Sequence, residues 1–407
     1  GLIWSAHDDY VFREEETVRE NLEIITKNAQ KYNINIYILM ELNLQLIIQY
    51  VNTLDLYNSR ILVDWFNINN EERKFKIRSM DNNVKAVYAR FLGMIGWYHR
   101  RCSDYTKAAE YYNKEIEVYN DVKGFEASKC NAYFGLALTN ISLGDIVAAE
   151  NNIKIMEKMF DTNLVDKSDI ATLTNAKGRL YFAQGKYLES LQYTNKTIET
   201  FVSNNLKRDD LFFSNLYILK AEILNNLESH KDAFSTARQL YNMHKVSTKE
   251  NSEIFGRIYT QMARSSLGLG EADKASEYIT KAIAIFLADE RRNPKDADYS
   301  EDSDLAASYV VQGDIFFIHN DLKQAINSYK KSQLIYFYLY REKSKNLAHV
   351  SYLYKQGAKA ACKAQDLYNY KTFGKLQVEE FGVDNPNTID MLEYCEQYKM
   401  DLWAKEN

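Results

Sequence analysis

The sequence has little proline and little glycine. Of its 407 residues, 2 are proline and 15 are glycine, against average usage of roughly 5% and 7%. Proline interrupts helices, and glycine weakens their interiors. The scarcity of both residues excludes a collagen-like or loop-rich chain and favours a structure that is helical nearly throughout.

Cysteine is also sparse, and the cysteines are far apart. No Cys-x-x-Cys pair occurs, which excludes the common spacing of zinc and redox sites. We therefore expect buried, reduced thiols in a cytoplasmic protein rather than disulfides. The four residues are Cys102, Cys130, Cys362 and Cys395.

The chain has no excess of positive charge and no long apolar run. Its formal net charge is −5, so no global positive field would hold a nucleic acid, and direct nucleic-acid binding is not expected. The apolar runs Ile36–Met40 and Leu334–Tyr340 fall short of the ~20 residues of a membrane span. The first residues, Gly1–Asp9, lack the pattern of a signal peptide, and whether another domain precedes them stays open.

Sequence patterns of enzymes and metal sites are missing as well. The sequence contains no Gly-x-x-x-x-Gly-Lys-Ser/Thr, no His-Glu-x-x-His and no Gly-x-Ser-x-Gly. Gly268-Leu-Gly270 is interpreted as a repeat turn, since Asp273 stands where a dinucleotide fingerprint needs its third glycine. No catalytic residue, metal or cofactor is expected. The histidines are solitary: His7, His99, His230, His244, His319 and His349.

The sequence does contain a repeated stretch, and its clearest copy is Leu173–Ile198. This stretch predicts two short helices around a tight turn. Gly178 allows close approach of a second helix, Gly185 can adopt the positive φ that ends the first helix, and Ser190 is small enough for the two helices to cross. Such a hairpin cannot bury its own apolar faces, so it requires copies stacked against it.

Six copies share one pattern. Each has a large or aromatic residue, a small residue about four positions later, a turn, and a second small residue twelve positions after the first. The second small residues are separated by 41, 41, 43, 42 and 50 positions. They are Ala108, Ala149, Ser190, Ala233, Ala275 and Ala325.

This pattern of Gly or Ala, a Gly-Asp-Tyr-like turn, Ala and an aromatic resembles the tetratricopeptide repeat over roughly Asn83–Lys375. The period near 42 exceeds the standard repeat of about 34 residues and resembles the kinesin-light-chain-like branch of that family. The run Phe381–Thr388 resembles the linkers of the same branch. The resemblance implies an all-α, right-handed superhelical solenoid of helix-turn-helix hairpins.

We predict three regions. Residues 1–82 form an amino-terminal helical cap or degenerate repeat, beginning with a loosely held arm. Residues 83–376 form the repeat array of six clear hairpins and a seventh, degenerate one, with an exposed loop at Ala288–Ser303. Residues 377–407 form a carboxy-terminal capping helix that Thr388 is expected to cap and that extends to about Trp403.

In such arrays the first helices of the hairpins line the concave side, and the resemblance implies which of their positions point inward. The predicted peptide-binding groove consists of Arg90, Trp97, Arg100, Arg101, Asn131, Phe134, Asn175, Arg179, Asn215, Arg257 and Arg264. The same register adds Leu138, Phe182, Ile218, Glu222, Asn225, Thr260, Val310, Asp314 and Phe317.

Asparagine is a poor residue for a helix interior, so its recurrence at inward positions indicates a binding role. Its amide offers a donor and an acceptor to a peptide backbone, and the arginines would pair with carboxylates. The alternative is that an Asn-rich composition places Asn at these positions without a role.

Two function classes follow. The first is an interaction module that binds a protein or peptide segment, with acidic segments favoured by the inward arginines, as an adaptor, scaffold or sensor part of a larger protein. The second is the ligand-sensing domain of a peptide-responsive bacterial regulator. The first is preferred because residues 1–80 show no clear helix-turn-helix with a basic recognition helix.

Overall fold

The computed structural model describes residues 12–32, 34–52, 56–71, 74–77, 80–102, 104–166, 170–203, 211–245, 252–288, 303–340 and 347–403. These residues form eighteen α-helices and no β-strand, which confirms the all-α prediction. The predicted arm before residue 12 and the predicted loop at residues 289–302 lie outside the described residues.

The chain divides into two compact units. The first comprises the described residues up to 139 together with 151–166, and the second comprises 140–150 together with the described residues from 170 onward. The first unit contains α1 (Phe12–Lys31), α2 (Ile36–Asn52), α3 (Leu56–Glu71), α4 (Asn82–Arg101) and α5 (Tyr105–Asn120). Two helices, α6 (Glu126–Ser142) and α7 (Ile146–Asp161), contribute residues to both units.

The second unit contains five hairpins and a final helix. The hairpins are α8 (Ile170–Ala183) with α9 (Tyr187–Ser203), α10 (Leu211–Asn226) with α11 (His230–His244), α12 (Glu253–Gly268) with α13 (Ala272–Ala288), α14 (Ser303–Ile318) with α15 (Leu322–Tyr340), and α16 (Ala348–Lys363) with α17 (Leu367–Phe381). The final helix is α18 (Pro386–Glu396).

Aromatic rings hold the amino-terminal helices to the first repeat helix. Phe66 of α3 stacks on Phe91 of α4 with ring centroids 4.5 Å apart, and Phe75 stacks on Phe66 at 5.2 Å. Phe66 and Phe91 are fully buried, so each contributes its full apolar area to the core.

The hairpins cross where the sequence predicts. All six small residues of the second helices are 0% exposed. In the α8–α9 hairpin the Ser190 hydroxyl donates to the Gly178 carbonyl at 2.7 Å. A Cβ added to Gly313 would lie 2.5 Å from the ring of Tyr329, which is why α14 and α15 approach so closely there.

Left-handed residues end the first helix of the six hairpins from α6–α7 onward, as the prediction for Gly185 requires. Gly185 has φ of 74°. Corresponding turns use glycine at some positions and other residues elsewhere: Gly144, Glu228, Gly270, Asn320 and Gln365 all have positive φ. These turns therefore have the same left-handed backbone geometry, although only some of them have the glycine that favours it.

The final helix begins differently from the prediction. Asn385, not Thr388, caps α18, because its side chain accepts a hydrogen bond from the Asn387 N–H at 2.9 Å. Thr388 is buried and instead accepts a hydrogen bond from Gln377 at 2.9 Å. The helix ends at Glu396, short of Trp403.

The expectation that all cysteines are thiols is wrong in this structure. Cys362 of α16 and Cys395 of α18 form a disulfide, with Cα atoms 5.6 Å apart. Cys102 and Cys130 are thiols. Cys362 and Cys395 are far apart in the sequence and meet because α18 folds back on α16. Disulfides persist mainly in oxidising compartments, so this bond is not expected for a protein of the reducing cytoplasm.

Candidate functional site: a polar cavity in the second unit

The second unit contains an open cavity of about 960 Å³. Its walls come mainly from the first helices of successive hairpins, α10, α12, α14 and α16, with the turn after α8 and the start of α18. This volume lies at the upper end of the range for ligand pockets, about 300 to 1,000 Å³.

Eight residues of the inward register predicted from the repeats line the cavity. Residues at equivalent positions of successive first helices contribute to it: Phe182, Glu222, Asn225, Thr260, Arg264, Val310, Asp314 and Phe317. Of the eleven residues predicted for the groove itself, Arg264 lines this cavity.

Other predicted groove residues of the second unit bond to one another beside the cavity. Arg179 donates to Asn175 of the same helix at 3.1 Å. Arg257 donates to Asn215 of the preceding first helix and lies 3.4 Å from the carboxylate of Asp304. The predicted asparagines thus serve as acceptors for the predicted arginines, an arrangement that the sequence does not reveal.

The remaining predicted residues lie in the first unit. Arg90 and Asn131 are exposed, whereas Phe134 is partly buried. Trp97 is partly buried against the core of α2, α3 and α4. Arg100 and Arg101 lie in the last turn of α4, where cations favourably oppose the helix dipole.

An amide network crosses the cavity floor between α10 and α12. Asn225 donates to the Gln261 side chain at 3.3 Å, and Gln261 donates to Glu222 at 3.2 Å. Ser265 donates to Asn225 at 3.0 Å. Asn226 accepts a hydrogen bond from Arg264 at 2.9 Å. These bonds hold the amide groups in fixed orientations at the cavity surface.

A second network joins α14, α15 and α16. The Asp314 carboxylate accepts hydrogen bonds from Tyr329 at 2.6 Å and Tyr352 at 3.1 Å, and Gln356 donates to the Tyr352 hydroxyl at 2.7 Å. Burial raises the pKa of Asp314 to about 6, although both tyrosine hydrogen bonds oppose the shift.

Burial also shifts other titratable groups of the lining. It raises the pKa of Glu222, and the positive charge of Arg257 acts against this shift. It lowers the pKa of His349 to about 4, so that this imidazole is neutral at physiological pH.

The lining is richer in carboxyl groups than in cations. Among its residues the acids are Glu222, Glu228, Asp304 and Asp314, and the guanidinium is that of Arg264. The predicted preference for an acidic ligand therefore requires positive charge from residues outside this lining, and it stays a prediction.

Sequence reasoning missed the contribution of the last hairpin and the final helix. Tyr352, Gln356, Asn385 and Asn387 line the cavity, and Asn387 donates to Ser351 at 3.0 Å. The sequence predicted no inward positions in this hairpin. Of the positions equivalent to those of the earlier repeats, Ser351 lines the cavity, whereas Tyr354, Ala358 and Ala361 are buried and do not. Asn385 and Asn387, on either side of Pro386, are the sequence feature that could have identified this part of the lining.

Two further kinds of site do not occur in the ranges that the structure describes. No helix there has the length and hydrophobicity to cross a membrane. Among the same described residues, no group of three or more His, Cys, Asp or Glu is placed to hold a metal ion.

Comparison with known proteins supports the repeat interpretation. A family model described as tetratricopeptide repeat matches residues 256–288, which span most of the α12–α13 hairpin. No curated protein matches the chain in sequence.

Solved structures share the fold at low identity. NprR in complex with its cognate peptide NprX is 16% identical with a TM-score of 0.54, over 79% of this chain and 87% of that chain. The apo form of the quorum sensor NprR from B. thuringiensis is 13% identical with a TM-score of 0.52, over 93% and 97%. A Rap protein complexed with competence and sporulation factor is 12% identical with a TM-score of 0.51, over 88% and 87%.

These identities establish a shared fold and nothing finer. The kinesin-light-chain-like assignment stays a prediction. The matched repeat and the shared architecture make this chain an all-α, tetratricopeptide-repeat-type solenoid protein.

Proposed function

We propose that the chain is a peptide-binding repeat protein and that the cavity of the second unit receives an extended peptide segment. The observation that carries the proposal is the set of amide side chains around one cavity: Asn225, Asn226, Gln261, Gln356, Asn385 and Asn387. Internal hydrogen bonds hold these groups in place. An amide has two N–H donors and an oxygen with two lone pairs, so Asn226, Gln356 and Asn387 keep hydrogen-bonding capacity for a peptide backbone beyond the bonds that hold them. Several such groups around one cavity suit an extended chain more than a single small molecule.

We expect the positive charge of the arginine side chains to make binding selective for peptides that carry carboxylate groups. Arg264 reaches the cavity directly, and the charges of Arg179, Arg257 and Arg264 all act on Glu222. Where such groups are desolvated, a charge-assisted hydrogen bond contributes roughly 1.5 to 3 kcal/mol. The proposed role is binding, with no catalytic step.

The test begins with the purified full chain and a pool of random hexapeptides. Retained peptides are identified by mass spectrometry, and the affinity of one of them is measured by calorimetry. The double variant Arg179→Ala with Arg264→Ala is expected to weaken binding about tenfold or more, as loss of one such bond implies. Arg238→Ala, an exposed position on α11, is the matched control.

Failure to retain any peptide would overturn the proposal. Retention of a peptide whose affinity is the same in wild type and the double variant would remove the arginines from the binding site. Either conclusion about the arginines requires that wild type and all variants have the same melting temperature, because only then has no substitution destabilised the fold.

A sensor role is the second candidate. The fold of NprR, a quorum sensor, extends over 93% of this chain, so the likeness includes more than the repeats. In a sensor, binding should alter the helices that precede the repeat array. Hydrogen exchange of α1, α2 and α3 with and without a retained peptide distinguishes the roles: altered protection favours a sensor, and unchanged protection favours an adaptor.

A further inference from the structure

We propose that Lys355, Lys359 and Lys363 of α16 form an anion subsite that binds a carboxylate group of the peptide. This inference rests on the proposed peptide-binding function. It identifies one chemical group of the ligand and the side chains that recognise it. None of these lysines belongs to the groove predicted from the sequence.

The three lysines share one face of α16. They follow one another at intervals of four residues, so their side chains lie in a row along the helix. The side chains of Lys355 and Lys359 are only 14% exposed. Long cationic side chains rarely lie this deep without a partner.

Two of the ammonium groups share a single carboxylate. The Nζ atom of Lys355 lies 3.2 Å from one oxygen of Asp390, and that of Lys359 lies 2.6 Å from the other. Asp390 belongs to the first half of α18 and is 47% exposed. One carboxylate neutralises one of the two charges, so this pair retains a positive charge.

Aromatic rings connect the lysine row to the cavity wall. Lys355 lies 5.1 Å from the ring centroid of Tyr352, and Lys363 lies 5.0 Å from that of Phe317. Tyr352 and Phe317 both line the cavity. The lysines themselves do not line the cavity, but Lys355 and Lys363 lie against rings that do.

The charge of the cluster favours an anion. The charge of Lys355 also acts on the Asp314 carboxylate. With Asp390 and Asp314 both ionised, the three lysines still leave one positive charge in excess. Because the rings and the neighbouring helices reduce solvation there, a ligand carboxylate would be attracted more strongly than at an exposed lysine.

The other carboxyl groups of the lining belong to different helices. Glu222 and Glu228 lie on α10 and in the turn after it, and Asp304 lies in the first turn of α14. A peptide that reaches both regions would bind with its carboxylate at α16 and its cationic groups toward α10.

A purely structural role for the Lys–Asp390 pairs makes a different prediction. Pairs that only join α16 to α18 would affect stability without affecting ligand choice. Lys363 separates the two cases, because its ammonium group lies over the neutral ring of Phe317. The variant Lys363→Gln leaves both pairs with Asp390 in place.

The experiment uses the full chain and three pools of random hexapeptides. The first pool has free carboxyl termini and lacks Asp and Glu. The second has amidated termini and contains Asp and Glu. The third is amidated and lacks both acids, so it carries no carboxylate. Retention of each pool is measured for wild type, Lys363→Gln, and Lys355→Gln with Lys359→Gln.

Wild type is expected to retain the first or second pool about tenfold better than the third, as one charge-assisted hydrogen bond implies. Preference for the first pool identifies a terminal carboxylate, and preference for the second identifies an acidic side chain. The preference should fall severalfold in Lys363→Gln and disappear in the double variant. It should persist in Lys323→Gln with Lys330→Gln, two exposed positions of α15.

Equal retention of the three pools, or a preference that the α16 variants leave unchanged, would overturn this inference while peptide binding stands. Retention of none of the pools would overturn both the inference and the proposed function.

Discussion

Tyr329 donates a 2.6 Å hydrogen bond to the Asp314 carboxylate, and the same tyrosine ring fills the space beside Gly313. The missing side chain at Gly313 lets α15 approach α14, and the approach brings the Tyr329 hydroxyl within reach of Asp314, which lines the cavity. A packing feature of the repeat thereby positions a polar group of the candidate site.

This contact predicts a pH dependence of stability. The pKa of Asp314 rises from 3.8 to about 6 on folding, chiefly through burial. Between pH 3.8 and about pH 6, Asp314 therefore holds a proton in the folded state that it has released in the unfolded chain. The free energy of unfolding should fall as the pH rises through this range. The contribution is on the order of 3 kcal/mol.

Denaturant unfolding between pH 4 and pH 8 measures this effect. Asp314→Asn cannot ionise, so its curve should lack that fall, although its single amide oxygen can replace only one of the two carboxylate oxygens that accept from Tyr329 and Tyr352. Parallel curves for wild type and Asp314→Asn would show that Asp314 ionises in the folded state as it does in the unfolded chain.

The hairpin crossings predict intolerance of larger residues. Ala275 is 0% exposed, so Ala275→Leu should overpack the crossing of α12 and α13 and cost about 1 to 3 kcal/mol. Ala149→Leu should behave in the same way, since Ala149 is equally buried. Thermal unfolding measures both, with the exposed Ala284→Leu as control. Unchanged melting of both crossing variants would contradict the register.

The turns predict opposite effects of two reciprocal substitutions. Glu228 and Gly270 occupy equivalent turn positions with φ of 59° and 78°. A side chain in this region costs roughly 1 kcal/mol or more, so Glu228→Gly should stabilise the protein and Gly270→Glu should destabilise it. A Cβ at Gly270 would meet no atom within 4 Å, which leaves backbone strain as the cause. Chemical denaturation should show shifts of opposite sign, and shifts of the same sign would refute this account.

The disulfide predicts that two of the four cysteines titrate as thiols. Titration of protein purified without reductant and then denatured should detect Cys102 and Cys130 alone. Replacing Cys362 and Cys395 by alanine should lower the free energy of unfolding by roughly 3 to 4 kcal/mol, as expected for closing a loop of this length, whereas Cys102→Ser should have little effect. Detection of four thiols would mean that the bond is absent and would restore the expectation of a reducing compartment.

Much of the fold is predictable from the sequence because its determinants are local and repeated. Crossings need small residues at a fixed interval, and Ala108, Ser190 and Ala325 display that interval in the sequence itself. Turns need a left-handed residue, which Gly185 indicates. Inward positions recur with the repeat, and Glu222, Thr260 and Asp314, which this recurrence selects, line the cavity.

The sequence predicted the candidate site less completely than it predicted the fold, and the reason is physical. The sequence establishes which side of a first helix is inward, but not which neighbour a polar side chain will bond. Arg257 reaches Asn215 on the preceding first helix, so both lie beside the cavity rather than in its lining. Such pairings depend on the distance between helices that are far apart in sequence.

What the sequence determined by itself is an all-α array of tetratricopeptide-type hairpins, through periodic residue size and turn chemistry. Tertiary structure alone decided that α18 folds back on α16, which brings Cys395 to Cys362 and Asp390 to Lys355 and Lys359. These contacts join residues about thirty positions apart whose patterns do not repeat. No periodic signal encodes them, and only the packing of the last helices brings them together.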